Sequence, residues 1–168
     1  FGKLFEFTLS KFLFELTSKE HHVKWHVNSK LNIKGFSSQI WYCNPLINSI
    51  FVRNASNEIF DSIKGEYQNN PLKPWRSPFQ KLYFKIATMN YFLPIMSKFI
   101  IEVNPPIKDA RNKLIIGGNT KIRIFDFKNS MVFVLLKKDF DKKYIQRELY
   151  VRKHFHYLSI PKIKSYNK

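Results

Sequence analysis

The stretch that decides the fold runs from Lys113 to Lys138 and reads KLIIGGNTKIRIFDFKNSMVFVLLKK. It contains three short apolar runs separated by two sets of turn-forming residues. The first interruption is Gly117 to Thr120, and the second is Lys128-Asn129-Ser130. Glycine, asparagine and serine favour tight turns, and short runs of apolar or alternating residues favour strands. The stretch therefore predicts a small antiparallel sheet of three consecutive strands.

The third of these strands has the most informative pattern. Met131 to Leu136 is apolar without interruption, which is typical of a strand that is covered on both faces. The run ends in Lys137-Lys138, and the alternation of side chains along a strand does not by itself decide which lysine points inward. Either ammonium group is a candidate for contact with an anion.

A helix is predicted directly after this strand. Asp139 or Asp141 can cap it, and one apolar stripe recurs at helical spacing at Tyr144, Glu148, Val151 and Phe155. Glu148 is the exception on this stripe, and a buried carboxylate needs a cation. Arg152 on the same helix and the lysine that closes the preceding strand are both candidates. Pro161 to Ile163 then predicts a further strand.

This order of elements resembles the small, nucleotide-binding lobe of the protein-kinase superfamily. Val134-Leu135-Leu136-Lys137 is similar to the V-A-I-K pattern of that family. The resemblance implies that Lys137 binds the α- and β-phosphates of ATP and that Glu148 holds it in place. It also implies that Gly117-Gly118-Asn119 forms the loop above the phosphates, where backbone N–H groups can approach closely.

The chain departs from the family pattern at two places. The glycine loop is shorter than G-x-G-x-x-G-x-V and is closer to the loops of aminoglycoside and small-molecule kinases. Leu135 replaces the small alanine that lies against adenine, which narrows that pocket. Asp126-Phe127-Lys128 is not the metal-binding D-F-G motif, because it precedes the lysine strand and lacks the glycine.

The resemblance covers about a third of the chain and implies half of a nucleotide site. Catalytic residues, including the H-x-D-x-x-x-x-N loop and the Mg²⁺ ligands, are expected beyond Lys168. Because the chain begins with Phe1 rather than Met, we expect a fragment of a longer protein or a processed chain. The resemblance implies the N-terminal portion of an ATP-dependent phosphotransferase, whose phosphate acceptor the sequence does not reveal. A degenerate lobe that serves as a scaffold remains an alternative.

The first part of the chain predicts a helical or mixed domain of unknown role. Leu4 to Lys19 has the spacing of an amphipathic helix, and Val23 to Val27 and Leu31 to Ile33 have short strand patterns. Phe36 to Pro78 is rich in Asn, Ser and Pro and predicts loops and short elements.

A long helical stripe follows in the sequence. It consists of Leu82, Ile86, Met89, Leu93, Met96 and Ile100. Pro94 is expected to kink or end this helix. The breaker from Asn104 to Asp109 is the predicted domain boundary. We therefore expect an α+β chain with domains at 1–109 and 110–168.

Charge supports a second class of function. The chain has 29 Lys and Arg residues against 12 Asp and Glu, a net charge of +17, which attracts nucleotides, nucleic acid and acidic lipid. Only 6 of these cations are Arg, the residue that favours bidentate contacts with phosphates and bases. The alternative is therefore a basic protein that binds nucleic acid or an acidic membrane surface without catalysis.

The compartment is predicted from what the sequence contains. Its one cysteine, Cys43, excludes an internal disulfide and fits a reducing environment. No secretory signal pattern is visible, so we expect a cytoplasmic protein. The most apolar stretch, Leu82 to Val103, is interrupted by charged residues and by Pro94, which favours a buried or interfacial helix over a membrane span.

Overall fold

A computed structural model describes residues 2–27, 38–69, 76–137 and 143–154. The chain divides into two compact units, Phe1–Lys137 and Lys138–Lys168. In the first unit, the described helices are α1 (Gly2–Thr17), α2 (Asn57–Asn69), α3 (Ser77–Thr88) and α4 (Leu93–Met96). Its strands are β1 (His22–Val27), β2 (Gln39–Asn44), β3 (Ser49–Val52), β4 (Phe99–Asn104), β5 (Lys113–Gly117), β6 (Lys121–Asp126) and β7 (Met131–Leu136). The second unit contains α5 (Lys143–His154).

The seven strands form one curled antiparallel sheet in the order β1-β4-β2-β3-β5-β6-β7. The last three strands follow one another as the sequence predicts, and the α+β class is confirmed. They are joined to the rest of the sheet where Ile50 of β3 pairs with Ile115 of β5. The predicted boundary at 109/110 lies in the sequence between β4 and β5, which are strands of the same sheet. The two compact units of the chain meet after Lys137.

Two cores lie on opposite faces of the sheet, because neighbouring strand residues point in opposite directions. Ile115 belongs to the first core, which α1 covers with Phe5, Leu9, Phe12 and Leu13. Leu114 belongs to the second core, which receives Ile59 and Ile63 of α2, Phe84 of α3 and Leu93 of α4. Both faces of the central strands are therefore buried, which explains their almost unbroken apolar sequence.

The short-range sequence patterns predicted several elements correctly. The amphipathic helix is α1, the Val23–Val27 pattern is β1, and the helix after the third C-terminal strand is α5. Phe36 to Pro78 contains the short strands β2 and β3, but it also contains the 13-residue helix α2, which was not predicted. The strand patterns at Leu31–Ile33 and Pro161–Ile163 fall outside the described residues.

The prediction of one long helix through Leu82 and Ile100 is wrong. That stretch is divided into α3, α4 and strand β4. Pro94 lies in the first turn of α4, where proline removes no helical hydrogen bond. Leu82 and Met89 are exposed whereas Leu93 and Ile100 are buried, so the six residues do not form one face. None of the helices in the described ranges is long and apolar enough to cross a membrane.

Cys43 offers a direct test of this packing. It lies on β2 in the first core, and burial raises the pKa of its thiol to about 12. The reactive form of cysteine is the thiolate, so we expect almost no labelling by a thiol reagent at pH 8 until the sheet opens. Labelling followed across a urea titration should track unfolding, whereas rapid labelling of the native protein would contradict the burial of β2.

Candidate functional site

The predicted glycine loop and the predicted lysine lie at the same end of the β5–β6–β7 sheet. Gly117 pairs with Ile122 at that end of the β5–β6 hairpin, and Leu136 pairs with Lys121 on the next strand. The backbone N–H of Lys137 donates a hydrogen bond of 2.9 Å to the carbonyl oxygen of Thr120. The end of β7 is therefore joined directly to the turn between β5 and β6.

This turn, Gly117 to Thr120, is closed tightly by its own backbone. The N–H of Gly118 donates to the carbonyl oxygen of Lys121 at 2.8 Å, and a Cβ at Gly118 would lie only 3.0 Å from the same oxygen. A Cβ at Gly117 would meet the ring of Phe5 at 3.7 Å, which is an ordinary contact. Gly118 is therefore the position where the turn favours the absence of a side chain.

The next two amides of the turn belong to Asn119 and Thr120. Within the part of the chain that the structure describes, the backbone N–H groups of Asn119 and Thr120 have no hydrogen-bond acceptor. Asn119 is exposed and Thr120 is partly exposed. Free amides at a turn are suitable donors to an anion. One of these amides belongs to Thr120, whose carbonyl oxygen accepts the hydrogen bond from Lys137, and the other belongs to the preceding residue.

The Lys137 side chain is almost completely enclosed, with 3 % of its surface exposed. It shares its strand face with Phe133 and Leu135, which pack against the first core. Burial lowers the pKa of the Lys137 ammonium, because a charged group loses hydration when it is enclosed. Lys138, the alternative inward lysine, is outside the described residues.

The fifth predicted site residue, Glu148, lies on α5 in the second unit. Its side chain is partly buried, and Val151 on the same predicted stripe is 37 % exposed. The other two members of the stripe, the Tyr144 side chain and Phe155, are outside the described residues. The role of Glu148 as the partner of Lys137 therefore stays a prediction.

A buried ion pair that was not predicted closes the opposite end of the β5–β6 hairpin. The Nζ atom of Lys113 lies 2.5 Å from Oδ2 of Asp126, and both side chains are almost fully buried. Asn129 donates to the same carboxylate from its backbone N–H at 3.2 Å and from Nδ2 at 2.9 Å. Burial acts to raise the pKa of Asp126, but the hydrogen bonds from Lys113 and Asn129 outweigh it and lower this pKa. Asp126 thus has a structural role.

A shallow groove of about 520 Å³ lies at that same end, where β5 begins. Two of the six arginines of the chain, Arg53 and Arg111, line it and are exposed. Asp109 also lines the groove, but its carboxylate lies 3.0 Å from the ammonium of Lys128. Sequence spacing could not reveal this groove, because Arg53 and Arg111 are far apart in the sequence. Their segments are joined by the pairing of β3 with β5 and by a hydrogen bond of 2.8 Å from the backbone N–H of Ser56 to the carbonyl oxygen of Arg111.

The described residues contain no group of three or more His, Cys, Asp or Glu side chains that could hold a metal ion. Compared with known proteins, the chain matches no family model, no curated protein and no solved structure.

Proposed function

We propose that this chain supplies the phosphate-binding part of an ATP site in a kinase-like phosphotransferase. The turn from Gly117 to Thr120 would hold the phosphates through its backbone amides, and Lys137 would neutralise their charge. The observation that carries the proposal is the 2.9 Å hydrogen bond between Lys137 and Thr120, which joins these two elements at one end of the sheet.

The chemistry of the two elements supports phosphate as the ligand. Free N–H groups in a turn act as fixed positive partial charges, and a lysine ammonium acts as a point charge next to them. The Lys137 ammonium carries an unfavourable desolvation that lowers its pKa. A phosphate group beside it would offset this desolvation, because an opposite charge favours the protonated form.

The packing of α1 limits where the phosphates would approach. Phe5 of α1 lies under Gly117, and the first core covers the sheet face that includes Phe133 and Leu135. On that face, the ring of Phe5 already lies beside Gly117. The proposal therefore concerns phosphate binding at the rim of the turn, where Asn119 is exposed.

Titration with a fluorescent ATP analogue, with and without Mg²⁺, tests the proposal. We expect saturable binding that ATP displaces much better than AMP, because the proposed contacts are with the phosphate chain. The titration measures binding alone and does not depend on the catalytic loop of such enzymes, which is a separate element. Equal displacement by AMP, or no saturable binding at all, would contradict the proposal.

The net charge of +17 favours a second candidate, a basic protein that binds nucleic acid. Such binding would weaken steeply with salt and would show little preference among nucleotides. A single-stranded oligonucleotide titrated at two salt concentrations, beside the ATP analogue, separates the two candidates. If the oligonucleotide binds tightly and displaces the analogue completely while ATP does not, the second candidate is favoured.

A further inference from the structure

The surface formed by α3, α4 and the residues between them exposes an unusual number of large apolar side chains. Phe79 is 68 % exposed, Tyr91 is 78 % exposed and Ile95 is 72 % exposed. Leu82, Met89 and Phe92 are exposed as well. Single exposed apolar residues are ordinary, but a concentration of them indicates a surface that contacts something less polar than water.

Cations accompany these apolar residues in the segment 76–98, which contains no Asp or Glu. Lys81, Lys85 and Lys98 are exposed, as is Arg76 at the start of α3. The sequence contains no Asp or Glu between Glu66 and Glu102. We call the exposed residues of this region the basic apolar surface: Arg76, Phe79, Lys81, Leu82, Lys85, Met89, Tyr91, Phe92, Ile95 and Lys98. Its charge is of one sign only.

The geometry of α3 separates the two kinds of residue. Phe84 and Ala87 are buried on one side of the helix. On the exposed side, Phe79 and Leu82 are one turn apart, and Lys81 and Lys85 form a parallel row beside them. This arrangement is typical of a helix that lies in the plane of a membrane surface, with apolar side chains in the lipid and lysines at the headgroups.

We propose that the basic apolar surface binds the headgroup region of an anionic lipid bilayer. Charge complementarity decides the occupant, since every charged side chain in 76–98 is a cation, and anionic headgroups supply the opposite charge beside an apolar layer. An acidic polypeptide would complement the lysines but would leave Phe79, Tyr91 and Ile95 in water. A second copy of this chain would bring like charges together.

Sedimentation with lipid vesicles tests the proposal. We expect the chain to bind vesicles that contain phosphatidylserine, to bind neutral phosphatidylcholine vesicles much more weakly, and to dissociate as salt is raised. The double variant Lys81→Gln/Lys85→Gln should bind about 30-fold more weakly. The affinity of Phe79→Ser/Leu82→Ser for these vesicles should fall by at least about the same factor, because the two apolar side chains that enter the lipid have been removed.

A matched control removes the same charge elsewhere. Lys11 and Lys24 are exposed on α1 and β1, so Lys11→Gln/Lys24→Gln should bind anionic vesicles nearly as well as the unchanged chain. Equal weakening by this control would show that only total charge matters and would overturn the proposal. An unchanged affinity in Phe79→Ser/Leu82→Ser would overturn it too, since the apolar residues would then not enter the lipid.

Two further measurements identify another occupant. Binding to poly-glutamate that is as tight as binding to vesicles, and that does not need Phe79 and Leu82, would assign the surface to an acidic polypeptide. Self-association in analytical ultracentrifugation that Phe79→Ser/Leu82→Ser abolishes would assign it to a second copy of the chain. Either result would overturn the assignment to lipid. All these substitutions are at exposed positions, so thermal unfolding should confirm that each variant folds.

Discussion

Replacing Lys137 with methionine is expected to weaken binding of the ATP analogue by about 10- to 150-fold while the protein still folds. A hydrogen bond from a charged group to a phosphate contributes about 1.5–3 kcal/mol, and its loss gives a decrease of this size. Methionine keeps a flexible unbranched stem and removes the charge together with its N–H donors. The measurement is a binding titration, with thermal unfolding recorded for both proteins.

Lys128 provides the matched control for this variant. It lies in the turn between β6 and β7, at the opposite end of the strands, and forms an exposed ion pair with Asp109. Such pairs contribute about 0–1 kcal/mol, so Lys128→Met should leave both the fold and the affinity for the analogue nearly unchanged. Equal loss of affinity in Lys128→Met and Lys137→Met would assign the binding to total charge.

Lys138→Met tests the register of the strand end. If this variant loses nucleotide binding while Lys137→Met retains it, Lys138 is the phosphate lysine and the assignment is off by one residue.

The pH dependence of binding provides a second test of Lys137. Because burial lowers the pKa of Lys137, its proton is lost at lower pH than that of an exposed lysine. Affinity for the analogue should therefore begin to fall at correspondingly lower pH as the solution is made alkaline.

Asp126→Asn is expected to destabilise the protein by about 3–5 kcal/mol, because it leaves the buried ammonium of Lys113 without its carboxylate. The Lys113 and Asp126 side chains are 9 % and 4 % exposed, so water cannot replace the lost partner. Chemical unfolding of the two proteins measures the difference. Asp109→Asn, which breaks the exposed pair with Lys128, is the control and should cost at most about 1 kcal/mol.

Acid should reduce the difference in the free energy of unfolding between Asp126→Asn and the unchanged protein. The hydrogen bonds from Lys113 and Asn129 hold the pKa of Asp126 below its ordinary value of 3.8. The stabilisation is therefore present above that ordinary value and is lost as the pH falls through the lower folded-state value. A destabilisation that stayed constant through this acid range would contradict the assigned role of the carboxylate.

The double variant Lys113→Met/Asp126→Leu separates a lone buried charge from a loss of packing. Replacing both members of a buried ion pair with apolar residues is often neutral or stabilising. We therefore expect this double variant to recover most of the stability lost in Asp126→Asn. If it were equally unstable, the pair would be needed for the geometry of the hairpin and the turn that Asn129 closes.

Short-range patterns were sufficient for the part of the fold that is made by neighbouring residues. The strands β5, β6 and β7 and the helices α1 and α5 could be predicted because each has its own periodicity and its own turn residues. The long predicted helix failed for a physical reason. Ile100 belongs to a strand that pairs with β1 and β2. Those strands are distant in the sequence, so the residues next to Ile100 could not predict the pairing.

The candidate site could be predicted only in part for the same reason. Gly118 and Lys137 could be singled out because a turn and a charge at the end of an apolar run are local signals. The hydrogen bond between Thr120 and Lys137 and the ion pair between Lys113 and Asp126 depend on strand register. Register is fixed by the whole sheet, so these contacts could not be read from spacing alone.

The pairing of β6 with β7 places a condition on how this protein can change in evolution. Ile124 lies opposite Phe133, and Ile122 lies opposite Leu135. Inserting or deleting a single residue in β7 between Phe133 and Lys137 would move Lys137 to the other face of the sheet, because side chains alternate along a strand. Changes of length are therefore expected to be selected against within this strand.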